Sequence, residues 1–229
     1  MLTDHRRAFW YALLLLGSLM LVLVGVGQHP SQAAPLSTIP FFGRTDARVY
    51  DWMQTVRVAP LTSLYRFLSF IGGGIVTTPL RIVVTIILAS RRWWRRFGAF
   101  VLTWVASELA MTLLKLYFHR GRPPAPLVAT AGYSFPSGHA TAGAALAVAL
   151  VLAFFPPGPR RRKWEWIAGV FAFVMALSRV YLNAHWFFDV MAGVLLGAGI
   201  ALGSAALATE VAHLYRERRR PDAAADPAG

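Results

Sequence analysis

The chain has 229 residues and no cysteine, and 56% of its residues are apolar. This fraction exceeds the about 45–50% of soluble domains and excludes an ordinary soluble protein, while the lack of cysteine excludes disulfides and thiolate metal sites. The formal net charge is +13, but the basic residues lie in short runs beside apolar segments, which favours membrane topology and contact with anionic lipid heads over nucleic-acid binding.

The first apolar segment runs from Ala8 to Gly27 and follows the basic residues Arg6 and Arg7. A transmembrane helix needs about 20 such residues, whereas the apolar core of a signal peptide has about 7–15. We therefore favour an uncleaved first span, with a signal peptide cleaved near Ala33 as the alternative. The Pro-, Ser- and Ala-rich segment 28–42 predicts a loop.

The next segment has the periodicity of an amphipathic helix over Thr45–Arg57, where apolar residues recur at Val49, Trp52, Met53 and Val56. This helix either lies in the membrane interface or packs on the bundle as an ordinary surface helix. The apolar spacing continues to Gly72–Gly74, where we expect a break before a short second span, Ile75–Ala89. One long helix over 61–89 is the alternative. Arg81 is expected to extend toward a lipid head group.

Four further apolar segments follow, at Phe97–Phe118, Ser137–Phe155, Trp164–Leu182 and Trp186–Thr209. With the first two, they predict an all-α polytopic membrane protein with six transmembrane helices. We expect one membrane domain over 1–220 and a disordered tail over 221–229. Basic runs at 91–96, 160–163 and 216–220 share one face with the basic N-terminus, so the positive-inside rule makes that face and both termini cytoplasmic.

Three polar clusters lie between the spans, and the alternation of the spans puts all three on the outer face. They are Lys115 with Arg122-Pro123; Pro136-Ser137-Gly138-His139; and Ser178-Arg179 with His185 and Asp189. Any one of the cations is equally explained by snorkelling or positive-inside bias, but three that converge repel each other unless they bind an anion. Arginine and lysine both suit phosphate oxygens. The sequence therefore predicts a phosphate site at the outer membrane–water boundary.

The second cluster opens a helix at Pro136 or Ser137, and the first N–H groups of that helix favour an anion. Gly138 lets the backbone approach a phosphate closely. Ser137 is interpreted as a phosphate ligand or a helix cap rather than a nucleophile, because the nearby base, His139, points in another direction on the helix.

His185 and Asp189 are four residues apart and share a helix face. A carboxylate that accepts the proton of one imidazole nitrogen leaves the other nitrogen free to attack, and His139 can then protonate the departing oxygen. Taken alone, the His185–Asp189 pair is equally well a structural contact. Two histidines and an aspartate can also bind zinc, but three adjacent cations argue against a divalent metal, so we expect no metal and no cofactor.

The spacing within these clusters resembles the three-part signature of the type 2 phosphatidic acid phosphatase superfamily, the lipid phosphate phosphatases. The resemblance implies that His185 forms a phosphohistidine, that Asp189 orients it and that His139 is the acid. It also implies that phosphate is held without metal by the remaining residues of the clusters: Lys115, Arg122, Ser137, Gly138 and Arg179.

Two positions depart from the family pattern. Asn183 stands where many members have glycine, and Gly121–Pro124 lacks the frequent second arginine of an Arg-Pro-Arg-Pro run. Both are expected to affect substrate shape or pocket width rather than the catalytic groups. Glu108, two turns before Lys115, is expected to pair within the bundle.

The resemblance implies a metal-independent lipid phosphatase of a bacterial inner or plasma membrane, with its site facing the periplasm or exterior. Undecaprenyl pyrophosphate is the first substrate candidate; the alternatives are phosphatidylglycerophosphate, phosphatidic acid, and a lipid A phosphatase or phosphotransferase. A non-catalytic transporter or lipid-binding protein needs no acid and nucleophile, and the spans disfavour a haloperoxidase. The expected partners are the lipid phosphate and membrane lipids, without nucleic acid; the sequence does not indicate an oligomeric state.

Overall fold

A computed structural model describes residues 2–27 and 38–218, and these residues form eight helices, as the all-α prediction requires. The helices are α1 Leu2–Val26, α2 Pro40–Thr55, α3 Ala59–Ile71, α4 Gly74–Ser90, α5 Trp94–Phe118, α6 Gly138–Phe154, α7 Pro159–Tyr181 and α8 Phe187–Arg218. The alternative cleavage site near Ala33 and the predicted tail over 221–229 lie outside the described residues.

Among the described helices, three are long and apolar enough to cross a membrane: α1 over Arg6–Val26, α5 and α8. Helices α3 and α4 together qualify as one span that is bent by 40° at a short break. Helix α6 is apolar but has only 17 residues. The protein is therefore built as an integral membrane protein, and the complete six-span arrangement stays a prediction.

The glycines of Gly72–Gly74 break the helix, as expected, because α3 ends at Ile71 and α4 begins at Gly74. The amide of Gly72 ends α3 by donating to the carbonyl of Leu68 at 3.0 Å. The alternative of one continuous helix over 61–89 is wrong.

Arg81 does not extend toward a head group, because its side chain is only 4% exposed and its Nη1 lies 2.6 Å from Glu108 Oε1. The prediction for Arg81 is therefore wrong, whereas the predicted pairing of Glu108 within the bundle is confirmed. A buried guanidinium inside an apolar helix gains more from a carboxylate partner than it loses by staying away from the lipid surface.

The amphipathic helix is α2, but its apolar stripe is only partly buried. Met53 is 3% exposed, whereas Trp52 is 58% exposed. Asp46 lies three residues before Val49, on the same face as Met53, and it is 1% exposed. One carboxylate is therefore buried on the face that the periodicity marks as apolar.

Helices α6 and α8 pack backbone to backbone. A Cβ at Gly193 would lie 2.7 Å from the Ser137 carbonyl oxygen, and one at Gly197 would lie 2.2 Å from the Thr141 carbonyl oxygen. Glycines four residues apart allow this close approach. As a result, the start of α6 lies against the first turns of α8, where the Ser137 amide donates to the Asp189 carbonyl at 3.0 Å.

Candidate active site

The three polar clusters meet at one end of the helix bundle, as the alternation of spans predicted. Lys115 lies in the last turn of α5, Ser137 is the N-cap of α6, and Arg179 lies in the last turn of α7. Arg122 comes from the loop after α5, and His185 comes from the turn between α7 and α8. The contacts below join all three clusters.

His185 is buried, with 3% of its surface exposed. Its Nδ1 lies 2.7 Å from the carbonyl oxygen of Ser134 and 3.6 Å from Asp189 Oδ2. A carbonyl only accepts hydrogen bonds, so Nδ1 is assigned the proton and Nε2 the lone pair. The tautomer that we expected Asp189 to fix is therefore held first by the Ser134 carbonyl, with Asp189 as the more distant acceptor.

Burial lowers the pKa of His185 to about 4, although the nearby Asp189 carboxylate opposes the change. The positive charges of Arg122 and Arg179 act in the same direction as burial. The imidazole is therefore neutral at neutral pH, which is the state that a nucleophilic nitrogen requires.

The Asp189 carboxylate is held by an arginine that the sequence analysis did not single out. Arg120 Nη1 donates to Asp189 Oδ1 at 2.6 Å, and Arg120 Nη2 donates to Asp46 Oδ2 at 2.6 Å. Arg120 lies just before the stretch Gly121–Pro124, which itself has no second arginine, so the expected departure from the family pattern stands. The signal available for Asp46 was its place on the apolar stripe of α2.

Arg122 is held by peptide carbonyls. It donates to the exposed segment 131–133 at 2.6 to 3.3 Å and to Ala184 at 2.6 Å. Its Nη1 also lies 3.2 Å from His185 Nε2. Lys115 Nζ donates to the last carbonyl of the same segment at 2.5 Å. A phosphate bound by these two cations must therefore replace some of these carbonyl contacts.

The start of α6 keeps polar groups available. Ser137 is the N-cap residue, as one of the two interpretations expected, but its hydroxyl makes no cap hydrogen bond. The hydroxyl is buried and makes no hydrogen bond to any residue in the described part of the chain. A Cβ at Gly138 would lie 3.8 Å from Met111 Sδ, an ordinary contact, so protein packing alone does not require glycine there.

Arg179 and His139 lie beside the break between α3 and α4. Arg179 Nη1 donates to the hydroxyl of Ser69, while its buried Nε has no partner among the residues that the structure describes. A Cβ added at Gly73 would lie 3.7 Å from His139 Nε2. The broken helix therefore forms one wall of the site.

The charges of the site interact as the sequence analysis expected. Lys115 and Arg179 each repel Arg122, and His139 interacts with His185. Within residues 2–27 and 38–218, no group of three or more His, Asp or Glu side chains is arranged to hold a metal ion. The arrangement combines three cations with a buried neutral imidazole, which suits a phosphate group.

Asn183 departs from glycine for a visible reason. Its φ of 52° lies in the left-handed region, which glycine and asparagine tolerate best. Its Nδ2 donates to the carbonyls of Pro124 at 3.1 Å and Ala125 at 3.2 Å, and its Oδ1 accepts from Gln54 at 3.1 Å. The side chain thus ties the loop after Arg122 to α2.

Comparisons with known proteins place the chain among membrane phosphatases. The model of the PAP2 superfamily matches residues 96–213. Undecaprenyl-diphosphatase of Sulfolobus acidocaldarius is 34% identical over 154 residues, which are 63% of this chain and 69% of that protein. Phosphatidylglycerophosphatase B of Bacillus subtilis is 31% identical over 150 residues, which are 62% of this chain and 72% of that protein.

Two solved structures share the fold. The transmembrane PAP2 type phosphatidylglycerolphosphate phosphatase from Bacillus subtilis superposes with a TM-score of 0.65 at 23% identity, over 90% of this chain and 96% of that chain. LpxE of Aquifex aeolicus superposes with a TM-score of 0.57 at 21% identity, over 69% of this chain and 93% of that chain.

Proposed function

The chain belongs to the PAP2 superfamily, and we propose that it dephosphorylates a membrane lipid phosphate or pyrophosphate through a phosphohistidine on His185, without a metal cofactor. The family match and the two curated phosphatase relatives make it a phosphatase. One observation carries the mechanism: His185 Nδ1 is held 2.7 Å from the Ser134 carbonyl, while Nε2 faces Arg122 at 3.2 Å.

In the proposed first step, His185 Nε2 attacks phosphorus and the bond from phosphorus to the leaving oxygen breaks. His139 gives that oxygen a proton. The charge of the transition state is stabilised by three cations instead of a metal: Lys115, Arg122 and Arg179. In the second step His139 takes a proton from water as that water attacks phosphorus, and the bond from phosphorus to His185 Nε2 breaks. The electron pair returns to Nε2, which releases phosphate and restores neutral His185.

For the substrate, we propose undecaprenyl pyrophosphate first. Support comes from the relative named undecaprenyl-diphosphatase, at 34% identity. Phosphatidylglycerophosphate is the second candidate, supported by the relative named phosphatidylglycerophosphatase B, at 31% identity.

The decisive experiment is phosphate release by the purified protein against a panel of lipid phosphates, with EDTA present and His185→Ala as control. We expect the wild type to act on the pyrophosphate in EDTA and to be inhibited by vanadate, which mimics a five-coordinate phosphoryl group. Activity that disappears in EDTA and returns with magnesium would contradict the mechanism. Faster turnover of phosphatidylglycerophosphate would contradict the substrate assignment alone.

We also propose six spans with the site facing the exterior or periplasm. In support, the basic residues Arg95, Arg96 and Arg161 line one cavity together with Ala8, so the basic loops share a face with the start of α1. Single cysteines at Ala125 and Arg160 should be labelled from opposite sides of the membrane. If an impermeant reagent labels both in intact cells, the topology is wrong.

A further inference from the structure

Arg120 is a buried arginine that joins two buried carboxylates. It is 3% exposed, Asp46 is 1% exposed and Asp189 is fully buried. The two nitrogen–oxygen distances are both 2.6 Å. The three groups connect α2, the loop after α5 and the first turn of α8.

Such a buried triad is not expected to stabilise the fold more than apolar side chains would. Three buried charges lose their hydration, and apolar side chains of similar volume often give an equal or better folded state. Arg120 does not donate to the open side of the site either, since its two Nη atoms face carboxylates. Its geometry therefore calls for an explanation other than stability or direct phosphate binding.

The oxygens of Asp189 show what the triad controls. Oδ1 accepts from Arg120, and Oδ2 accepts from the backbone amide of Trp186 at 2.9 Å. Oδ2 is also the oxygen that lies 3.6 Å from His185 Nδ1. The guanidinium and the amide thus fix which oxygen faces the histidine.

Asp46 fixes the guanidinium in turn. Its Oδ2 accepts from Arg120, and its Oδ1 accepts from the backbone amide of Phe188 at 3.0 Å. Phe188 directly precedes Asp189, so both ends of the triad are anchored on the same turn of α8. Arg120 is therefore held on both sides, by Asp189 and by Asp46.

We propose that Arg120, anchored by Asp46, is a positioning residue that keeps the Asp189 carboxylate ionised and directed at His185. This inference rests on the proposed role of His185. When Nε2 bonds to phosphorus, the imidazole ring gains positive charge, and the ionised Asp189, whose Oδ2 lies 3.6 Å from Nδ1, stabilises that charge electrostatically. A buried carboxylate without a cation takes up a proton instead, and the neutral acid loses this effect.

The charges of the triad agree with this role. Burial acts to lower the pKa of Arg120, but the carboxylates of Asp189 and Asp46 outweigh it and raise that pKa. Burial raises the pKa of Asp46 to about 6, against the opposing effect of Arg120. Arg120 is therefore charged at neutral pH, and Asp46 is mostly ionised.

The test uses two neutral variants, Arg120→Gln and the double variant Asp46→Asn/Arg120→Gln. The double variant replaces the charged pair with two amides of similar shape, so Asp46 is not left as an unpaired buried charge. A purely structural role predicts that it regains activity together with its fold. A positioning role predicts that it folds and stays slow, because Asp189 still lacks its cation. Arg48→Gln, an exposed arginine on the same helix as Asp46, is the matched control.

The main readout is the pH profile of kcat/KM with an aryl phosphate whose acidic phenol leaves without protonation. From about pH 7 to about pH 8.5 the wild type should show no acid limb, whereas both neutral variants should lose activity as pH falls, because the pKa of a buried unpaired carboxylate rises. The other ionisable groups that interact with Asp189 or His185 are the same in both variants: Lys115, Arg122, His139 and Arg179. Asp46 loses its cation in the single variant and is a neutral asparagine in the double variant, so an acid limb that both variants show belongs to Asp189.

The second readout separates rate from binding. We expect kcat to fall about 10- to 100-fold at neutral pH, while inhibition by inorganic phosphate, a ligand that does not bond to His185, changes little because Arg120 does not face the phosphate. Neutral variants without an acid limb, or a double variant with wild-type kcat, would overturn the inference. Activity retained in His185→Ala would instead contradict the proposed function itself.

Arg120→Lys gives an independent test should the neutral variants fail to fold. Lysine keeps the charge but not the planar fork that spans two carboxylates. We expect kcat to fall about tenfold, without a new acid limb, because Asp189 stays ionised but loses its fixed orientation. A fully active Arg120→Lys enzyme would show that the fork does not position Asp189.

Discussion

The two nitrogens of His185 face regions of different construction. On the Nδ1 side, the Ser134 carbonyl, Asp189 and Arg120 form a frame of buried groups with short contacts. On the Nε2 side, Arg122 and the other cations are held largely by backbone carbonyls, several of which belong to an exposed segment. His185 is therefore held by buried groups on its Nδ1 side, whereas the cations on its Nε2 side, where phosphate is proposed to bind, are held by contacts that can be exchanged.

The largest effect should come from removing the histidine that both regions share. His185→Ala should lower turnover by about 10⁴-fold or more on lipid and aryl phosphates alike, because no other group replaces the nucleophile. The check is an acid-labile phosphoenzyme that forms in the wild type and is absent from the variant. If His185→Ala still forms it and His139→Ala does not, the two roles are reversed.

The next largest loss of activity should come from a change on the Nε2 side of His185, where phosphate is proposed to bind. His139→Ala should lose about 10²–10⁴-fold on an alkyl phosphate, whose leaving oxygen needs a proton, and much less on an aryl phosphate with an acidic phenol. Comparison of the two substrates under single-turnover conditions measures this difference. Equal losses on both would mean that His139 does not protonate the leaving group.

A smaller loss of activity should come from a change on the Nδ1 side of His185. Asp189→Asn should slow phosphoenzyme formation about 10- to 100-fold, well below the about 10⁴-fold loss of a triad whose tautomer becomes wrong. The reason is that the Ser134 carbonyl, 2.7 Å from Nδ1, continues to hold the required tautomer. Asp51→Asn on the exposed face of α2 is the control. A loss near 10⁴-fold would show that the carbonyl does not suffice.

The groups on the Nε2 side of His185 were predictable from the sequence, whereas those on its Nδ1 side were predictable only in part. The polar clusters next to the apolar spans contain these groups at fixed spacings: Lys115, Arg122, Arg179 and His139. The alternation of spans predicted that the clusters converge. The partners on the Nδ1 side have no such local pattern. The carbonyl of Ser134 carries no side-chain signal at all.

Arg120 and Asp46 were missed for related reasons. Arg120 sits between two residues of a recognised spacing and resembles one more basic loop residue. Its partner Asp46 lies 74 positions away in the chain, and only its place beside Val49 and Met53 on an apolar stripe marks it as unusual. Carboxylates on apolar faces of amphipathic helices therefore merit the same attention as charges inside spans.

The smallest effect should come from Asn183, which lies two residues before His185 in the chain. Its side chain contacts Gln54 and the loop after Arg122, not the histidine nitrogens. Asn183→Gly keeps the left-handed backbone without strain but loses these contacts, whose net worth is about 0.5–1.5 kcal/mol each. Asn183→Ala loses the same contacts and adds about 1–2 kcal/mol of backbone strain.

The two Asn183 variants should therefore differ from each other in stability, with alanine melting at the lower temperature in detergent. Their kcat values should both stay within about threefold of wild type, because neither substitution removes a group that acts on phosphorus. A loss of more than about tenfold in kcat for the glycine variant alone would place the Asn183 side chain in the frame that positions His185. Equal melting temperatures would show that the left-handed backbone at this position is not maintained when the asparagine contacts are gone.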